Sequence, residues 1–421
     1  MVFHASGTGL MPDIPSPAEM PGIDEVVTEE AAVQTPAGSE LRVTALVREG
    51  DFVPRGKPVA CLRHQPDICF VAPISGRVAR IALDPGSKLS RIVLFREGDA
   101  RAEHDIRQAD TPSGMRRLMQ TAGLWPWLRR RPFGGMPRHD ERPAAIMVMA
   151  ADTRPLASDP RRALEGREDD LARGMAALAT LTDGPVFLLQ SKGLDLVENA
   201  RDQTRIRKVI CGARHPQGAA GIRLHQLCPA GLDTPVWDIH AEDTAALGTL
   251  LRTGILPMAR LVRIAGPALR EARSVRTHFG ADLRQLTHRL VAPGPHSVIS
   301  GSALDGHTAQ WLAPRHRQVT VLPRDTGPVQ RHWLRAALTR SATGTPAIPT
   351  AALSRAFGDT LPVMPFIRAL GAGDDETAMK LGVLSLLEED VALADYILSA
   401  DGALKAQLRG MLDRIQREFA A

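Results

Sequence analysis

Cysteine is scarce in this sequence: Cys61, Cys69, Cys211 and Cys228 are the only four in 421 residues, with no dense or regular spacing. A disulfide framework is not expected in so long a chain, and the four read as reduced thiols. Tyrosine occurs once and lysine six times. A nucleic-acid binder gathers its basic residues on one stripe with aromatics between. Here 52 basic and 47 acidic residues alternate through most segments for a net charge of +5, so no nucleic-acid partner is expected. Long apolar runs are missing as well. The longest uncharged one, Ala144 to Ala151, falls far short of the ~20 residues that span a bilayer. The first 23 residues lack the basic start and apolar stretch of a secretion signal and are broken by Pro12, Pro15, Pro17 and Pro21, which points to a cytoplasmic address.

What is present is enough apolar sequence, 44%, to bury about three cores at ~150 residues per domain. Between Arg42 and Gly98, short alternating runs (Arg42 to Val47, Val59 to Arg63, Ile68 to Ala72, Arg77 to Leu83, Arg91 to Arg96) are punctuated by Gly and Pro and predict a small all-β unit. Val47 to Val59 followed by Ala72 to Ile81 resembles the barrel-sandwich fold of biotinyl and lipoyl carriers, with Gly50 and Gly56 at tight turns. No lysine lies between Arg63 and Pro73 to carry a prosthetic group, so a structural role is expected. Gly50 to Lys57 fails as a phosphate-binding loop, because five residues separate its glycines and proline follows the lysine.

From Arg107 to Ile255 strands and helices alternate. Ala144 to Ala151 and Pro185 to Leu189 read as buried parallel strands, with Asp170 to Leu181 as an amphipathic helix between them. The first strand runs into Asp152-Thr-Arg-Pro-Leu156 instead of a Gly-x-Gly-x-x-Gly turn, so no nucleotide is expected there. Arg260 to Gly306 resembles a β-grasp module. In the last segment Leu404, Leu408, Met411, Leu412, Ile415 and Phe419 recur at helical spacing as one apolar stripe, expected to face a core. The architecture is therefore α/β and α+β multidomain: an N-terminal segment with a barrel-sandwich unit (1–105), a Rossmann-like βαβ domain (106–258), a β-grasp, SLBB-like module (259–325) and a C-terminal helical domain (326–421).

Two stretches carry candidate chemistry. Gly123 to Pro137 holds Trp125, Trp127, Arg129, Arg130, Arg131 and Phe133, and with Arg138 and Arg142 it makes the one basic concentration of the chain. Such a cluster suits acidic lipid head groups, an acidic partner or a carboxylate, and equally a solvated basic loop. Aromatic faces beside guanidinium donors are also the residue types that a quinone ring with two carbonyls requires. His215 and His225 are further candidate donors. The alternative is that the tryptophans anchor a core and the arginines pair with carboxylates. Cys211, His215, His225 and Cys228 have the types for tetrahedral zinc, yet a loop packed by its own prolines and glycines is the favoured reading. Asp374 to Glu376 and Glu388 to Asp390 read as helix-start charges.

In order along the chain, Ala122 to Phe133, His215 to Gly221 with His225, Leu261 to Pro267, Val298 to Ser302, Ala372 to Asp374, Leu381-Gly382 and Leu387 to Asp390 resemble the NqrA family, the A subunits of the sodium-translocating NADH:quinone oxidoreductase. That family is similar to the flavin- and NADH-binding subunit of respiratory complex I and to the C subunit of the Rnf complex. Their counterpart of residues 123–137 is glycine-rich, which lets backbone NH groups approach the flavin phosphate. Leu128 to Phe133 would place side chains in that volume, and no cysteine follows Cys228 to hold an iron–sulfur cluster.

The resemblance implies a non-catalytic, peripheral subunit on the cytoplasmic face of the inner membrane, set against the membrane-embedded B subunit. Flavins, iron–sulfur centres and NADH would belong to partner subunits, with ubiquinone as acceptor and sodium export as the coupled step. On this view the chain binds no cofactor or metal of its own, and Trp125, Trp127, Arg129, Arg131, Phe133, His215 and His225 are candidates for a quinone contact. Two departures, Ser399 to Gly402 where the family has Cys-Pro-Gly-Lys and a shortened stretch from Arg324 to Leu361, leave open an adaptor in a different membrane redox complex.

Overall fold

The period-two segments form two facing sheets whose inward residues meet. The computed structural model describes residues 2–4, 8–35, 39–193, 196–197, 205–324 and 350–419. One sheet runs Glu30–Val33, Lys88–Arg96, Gly76–Asp84, Phe52–Val53; the other runs Val43–Ala45, Pro58–Leu62, Gln65–Val71. Val33, Val53, Val59, Phe70, Ile92 and Leu94 close the barrel between them. Gly50 and Gly56 take positive φ at the expected turns. Gly76 is required for a different reason, since a Cβ there would lie 2.0 Å from the Phe95 carbonyl oxygen.

The alternating strands and helices build a six-stranded sheet in the order Val2–His4, Ile206–Cys211, Val186–Ser191, Ala145–Ala150, Val236–His240, Arg129–Arg131. All pairs are parallel except the last. Because both faces are covered, the strands need no polar side. Ile146, Val148 and Ala150 face one core with helices Glu168–Ala179 and Ala241–Thr253. Ala145, Met147 and Met149 face the other, shared with helix Ala220–Leu227 and the C-terminal helices.

The third sheet runs His307–Thr308, His296–Ser300, Gln318–Pro323, Ala259–Ala265, Ala272–His278, Glu19–Glu25. Helix Leu283–Thr287 packs on it and is started by Asp282, whose carboxylate accepts from the Arg284 amide at 2.9 Å. Its core is Val262, Ile264, Val275, Leu283, Leu312, Val319 and Val321.

Two readings differ from what forms. The two strands ahead of the barrel do not stay with it: Val2–His4 adds an edge to the α/β sheet and Glu19–Glu25 an edge to the β-grasp sheet, so the amino-terminal strand pairs belong to units distant in sequence. A strand needs only an open edge, and neither pairing leaves a local mark. The C-terminal region contains helices beyond the one apolar stripe read from its sequence, namely Ala351–Ala356, Val363–Ala372, Asp375–Lys380 and Ala392–Ile397 ahead of Ala403–Phe419. Several are too short for their apolar period to register. In the last, Leu404, Leu408, Met411, Leu412 and Ile415 are fully buried as expected, while Phe419 is exposed. Most of the divergent stretch beginning at Arg324 lies outside the described residues.

Candidate functional site

Helix Pro112–Thr121 begins on Thr111, whose hydroxyl accepts from the Gly114 amide at 3.1 Å, and delivers the chain to the tryptophan-arginine loop. Trp125 to Trp127 form one 3-10 turn, Arg129–Arg131 is the antiparallel edge strand beside Val236–His240, and the Arg131–Pro132 bond is cis. Phe133, Gly134 and Gly135 then turn with φ of 77°, 79° and 74°.

The rings are divided by the sheet. Trp125 and Trp127 join the core on one face, Phe133 the core on the other. Trp125 is fully buried, meets Trp237 edge to face at 5.4 Å and donates its indole NH to the Pro137 carbonyl at 2.9 Å. Trp127 meets Phe279 at 6.0 Å, and the Arg260 guanidinium lies over its ring at 4.3 Å. Phe133 packs toward Leu387 of the C-terminal region, and its carbonyl accepts from Arg409 at 2.9 Å.

Four carboxylates receive the arginines. Arg131, with no exposed side-chain surface, pairs with Asp238 across the edge ladder, with Glu389 at 3.1 Å and with Asp390 at 3.2 Å. Arg129 pairs with the other oxygen of Glu389, and Arg130 with Glu141 at 2.9 Å. Burial alone would lower the Arg131 guanidinium, but Asp238, Asp390 and Glu389 outweigh it and hold it charged, well above the ordinary arginine value. Burial, joined by the neighbouring Asp390, raises Glu389 against the pull of Arg129 and Arg131. Asp390 also accepts the amides of Gly221 at 3.0 Å and Leu387 at 2.9 Å, tying the start of helix Ala220–Leu227 into the same clasp. Of the basic concentration seen in sequence, only Arg138 and Arg142 remain exposed.

His215 is buried, shares a 3.2 Å hydrogen bond with the Thr153 hydroxyl, and is held down to about 4 by burial. His225 lies against Gly382, where a Cβ would come within 2.1 Å of the imidazole, and burial lowers it too. Among the described residues no group of three or more His, Cys, Asp or Glu side chains is placed to hold a metal ion, and Cys211 is a core residue.

The α/β sheet reverses its strand order between Ala145–Ala150 and Val236–His240, and in open sheets a crevice for a cofactor phosphate opens beyond such a point. Side chains of the β-grasp module fill it here. Arg317 pairs with Glu242 at 2.8 Å and Asp243 at 2.6 Å, Gln318 donates to the Pro155 carbonyl at 3.0 Å, and Asp305 pairs with Arg154 at 3.0 Å. Glu242 and Asp243 open helix Ala241–Thr253, so the positive helix end that would attract a phosphate already faces two buried carboxylates. Burial raises Glu242.

Nothing local marks Asp238, Arg260, Phe279 or Arg317 as partners. The run Glu388-Glu-Asp390 was the available signal, an acidic triple complementary to Arg129 to Arg131. It is not a set of helix-start charges: Glu389 and Asp390 face those arginines, and Glu388 faces Arg409 at 3.5 Å. Asp374 does cap its helix, accepting from the Thr377 amide at 3.0 Å.

Family comparison agrees with this layout. The NqrA N-terminal barrel-sandwich hybrid domain matches residues 13–96, the NqrA second alpha/beta domain residues 111–256, and the NQRA C-terminal domain residues 261–310. The chain belongs to the NqrA family. The A subunit of the Na(+)-translocating NADH-quinone reductase of Shewanella amazonensis is 32% identical over 94% of this chain and 97% of its own length. Its counterpart in Neisseria meningitidis serogroup C is 31% identical over 90% and 91%. The resemblance read from the motifs is thus established for the NqrA family along nearly the whole chain. A solved NAD+-reducing NiFe hydrogenase chain aligns with a TM-score of 0.39 and 15% identity over 73% of this chain and 67% of that one.

Proposed function

We propose that the chain is the peripheral, non-catalytic subunit of a sodium-translocating NADH:ubiquinone oxidoreductase, docked on the membrane-embedded B subunit at the cytoplasmic face and carrying no flavin or iron–sulfur centre. Two relatives bear the name of the A subunit of a Na(+)-translocating NADH-quinone reductase, and no helix among the described residues is long and apolar enough to cross a membrane. The observation that supports the carrier-free part is Arg131: buried among Asp238, Glu389 and Asp390, it makes the loop 123–137 a joint between the α/β domain and the C-terminal helices. NADH, flavins and iron–sulfur centres then reside in the partner subunits.

Affinity purification from native membranes tests the assignment. Recovery with the B subunit is expected; recovery with other redox subunits in its place would replace this reading by the adaptor one. The isolated full-length chain is expected to show no isoalloxazine absorbance, and a tightly held flavin would refute the carrier-free reading.

A quinone contact by this chain is a second reading, favoured by one observation. Arg260 is 1% exposed, its guanidinium nitrogens have no hydrogen-bond acceptor beyond a 3.3 Å ion pair to Asp243, and it lies between Trp127 and Phe279. Donors of this kind beside aromatic faces suit a quinone carbonyl. A photoreactive ubiquinone analogue should then label Trp127 or its neighbours among Trp125, Arg129, Arg131, Phe133, His215 and His225. Labelling confined to partner subunits rejects that contact and leaves the family role intact.

A further inference from the structure

The hairpin whose tip carrier domains use for a modified lysine has a cysteine in each of its strands here. Strands Pro58–Leu62 and Gln65–Val71 are antiparallel, and their register sets Cys61 directly opposite Cys69. Opposed residues of an antiparallel pair project to the same face with Cα atoms about 4.5–5.5 Å apart. That lies inside the ~4.4–6.8 Å range a disulfide spans. Both residues are free thiols and each is 6% exposed. The ladder register breaks immediately after Cys61, a local irregularity that bends the strand beside the pair. Neither sulfur joins the barrel core, which takes Val59, Ala60 and Phe70 from the same strands. The adjacent Ile68 and Val71 pack with Met115 and Trp125, so the pair stands where the barrel meets the α/β domain.

We propose that Cys61 and Cys69 form a reversible dithiol–disulfide site, closed by exchange with a low-molecular-weight disulfide such as oxidised glutathione. The thiolate of one cysteine attacks a glutathione sulfur, forming a protein–glutathione bond and releasing one glutathione thiolate. The second cysteine, losing its proton, attacks the protein-side sulfur and expels the other glutathione. The protein loses two protons and two electrons, and the oxidised glutathione is reduced to two thiols. Burial raises both thiols, Cys69 to about 11 with Cys61 and Asp67 adding to the rise, so exchange is slow at neutral pH and quickens in alkali.

The full-length chain, kept native, is incubated with oxidised glutathione in mildly alkaline buffer, alkylated, and mapped without reduction. A Cys61–Cys69 cross-linked peptide, lighter by two hydrogens and restored by dithiothreitol, is the expected product. It should persist in C211S/C228S and vanish in C61A and in C69A. The C211S/C228S chain keeps the test valid if either alanine variant fails to fold. Recovery of Cys61 and Cys69 as separately alkylated residues, a bond to a different cysteine, or a cross-link that forms only in denaturant would each overturn the proposal.

Discussion

A guanidinium taken out of water costs several kcal/mol unless its charge is met, and Arg131 meets that condition by setting both terminal nitrogens on carboxylates more than a hundred positions away, while its Nε stays buried without an acceptor. Removing one partner of a buried pair is worse than never having had it, because the remaining charges stay desolvated. Arg131→Met should therefore destabilise the chain by ~3–5 kcal/mol in denaturant unfolding, with faster proteolysis of the C-terminal helices. Arg131→Lys keeps the charge but cannot reach three carboxylates with a planar fork, and should fall between Arg131→Met and the native chain. Native-like stability of Arg131→Met would show that the clasp does not hold the C-terminal region.

At the scale of elements, two helices of the α/β domain touch backbone to backbone. A Cβ on Gly174 would lie 1.9 Å from the Thr244 carbonyl oxygen, and one on Gly248 would lie 1.8 Å from that of Asp170. Alanine normally favours a helix over glycine by up to ~1 kcal/mol, but here it must push helices Glu168–Ala179 and Ala241–Thr253 apart. Gly248→Ala should accordingly lose about 1–3 kcal/mol in thermal or chemical unfolding; a gain would contradict the close crossing. The junction of the β-grasp sheet with the α/β sheet obeys the same logic as Arg131. Arg317→Ala removes the one arginine that pairs directly with both buried carboxylates, Glu242 and Asp243, and should cost about 3 kcal/mol or more. Hydrogen exchange should then rise in Gln318–Pro323 before the barrel is affected.

For the molecule as a whole, titratable side chains shielded from water at the junctions between units set its response to acid. Burial holds His215 and His278 to about 4 and His316 to about 3, against 6.5 for exposed histidine. The folded values are depressed, so on acidification the unfolded chain takes up protons that the folded chain refuses. Stability is complete above about 6.5 and falls as pH drops toward 4, by ~1.4 kcal/mol per pH unit for each such group. Glu389 and Glu242, raised by burial, act in the opposite sense, while His240, also held low by burial, adds to the loss. Asp305 adds a later loss: burial would raise it, but Arg154 and its neighbours hold it down to about 2, so its contribution disappears below the ordinary aspartate value of 3.8. Calorimetry across this range should show a falling melting temperature with net proton uptake on unfolding; a flat profile would mean that these imidazoles are not shielded.

Whatever depends on neighbours in the chain was legible from residue order alone. Alternation marked the barrel strands, the run Ala144 to Ala151 marked a strand covered on both faces, and Leu404 to Ile415 marked the buried stripe of the last helix, because a period of two or 3.6 is local. The ordered motifs likewise revealed the NqrA family. Only the folded chain shows that Arg129 and Arg131 answer to Glu389, that Arg317 closes the crevice of the α/β sheet, and that Val2–His4 and Glu19–Glu25 complete sheets built from much later residues. Charge pairing and edge pairing act through space, and an arginine carries the same local signature whether water or a carboxylate stands opposite it.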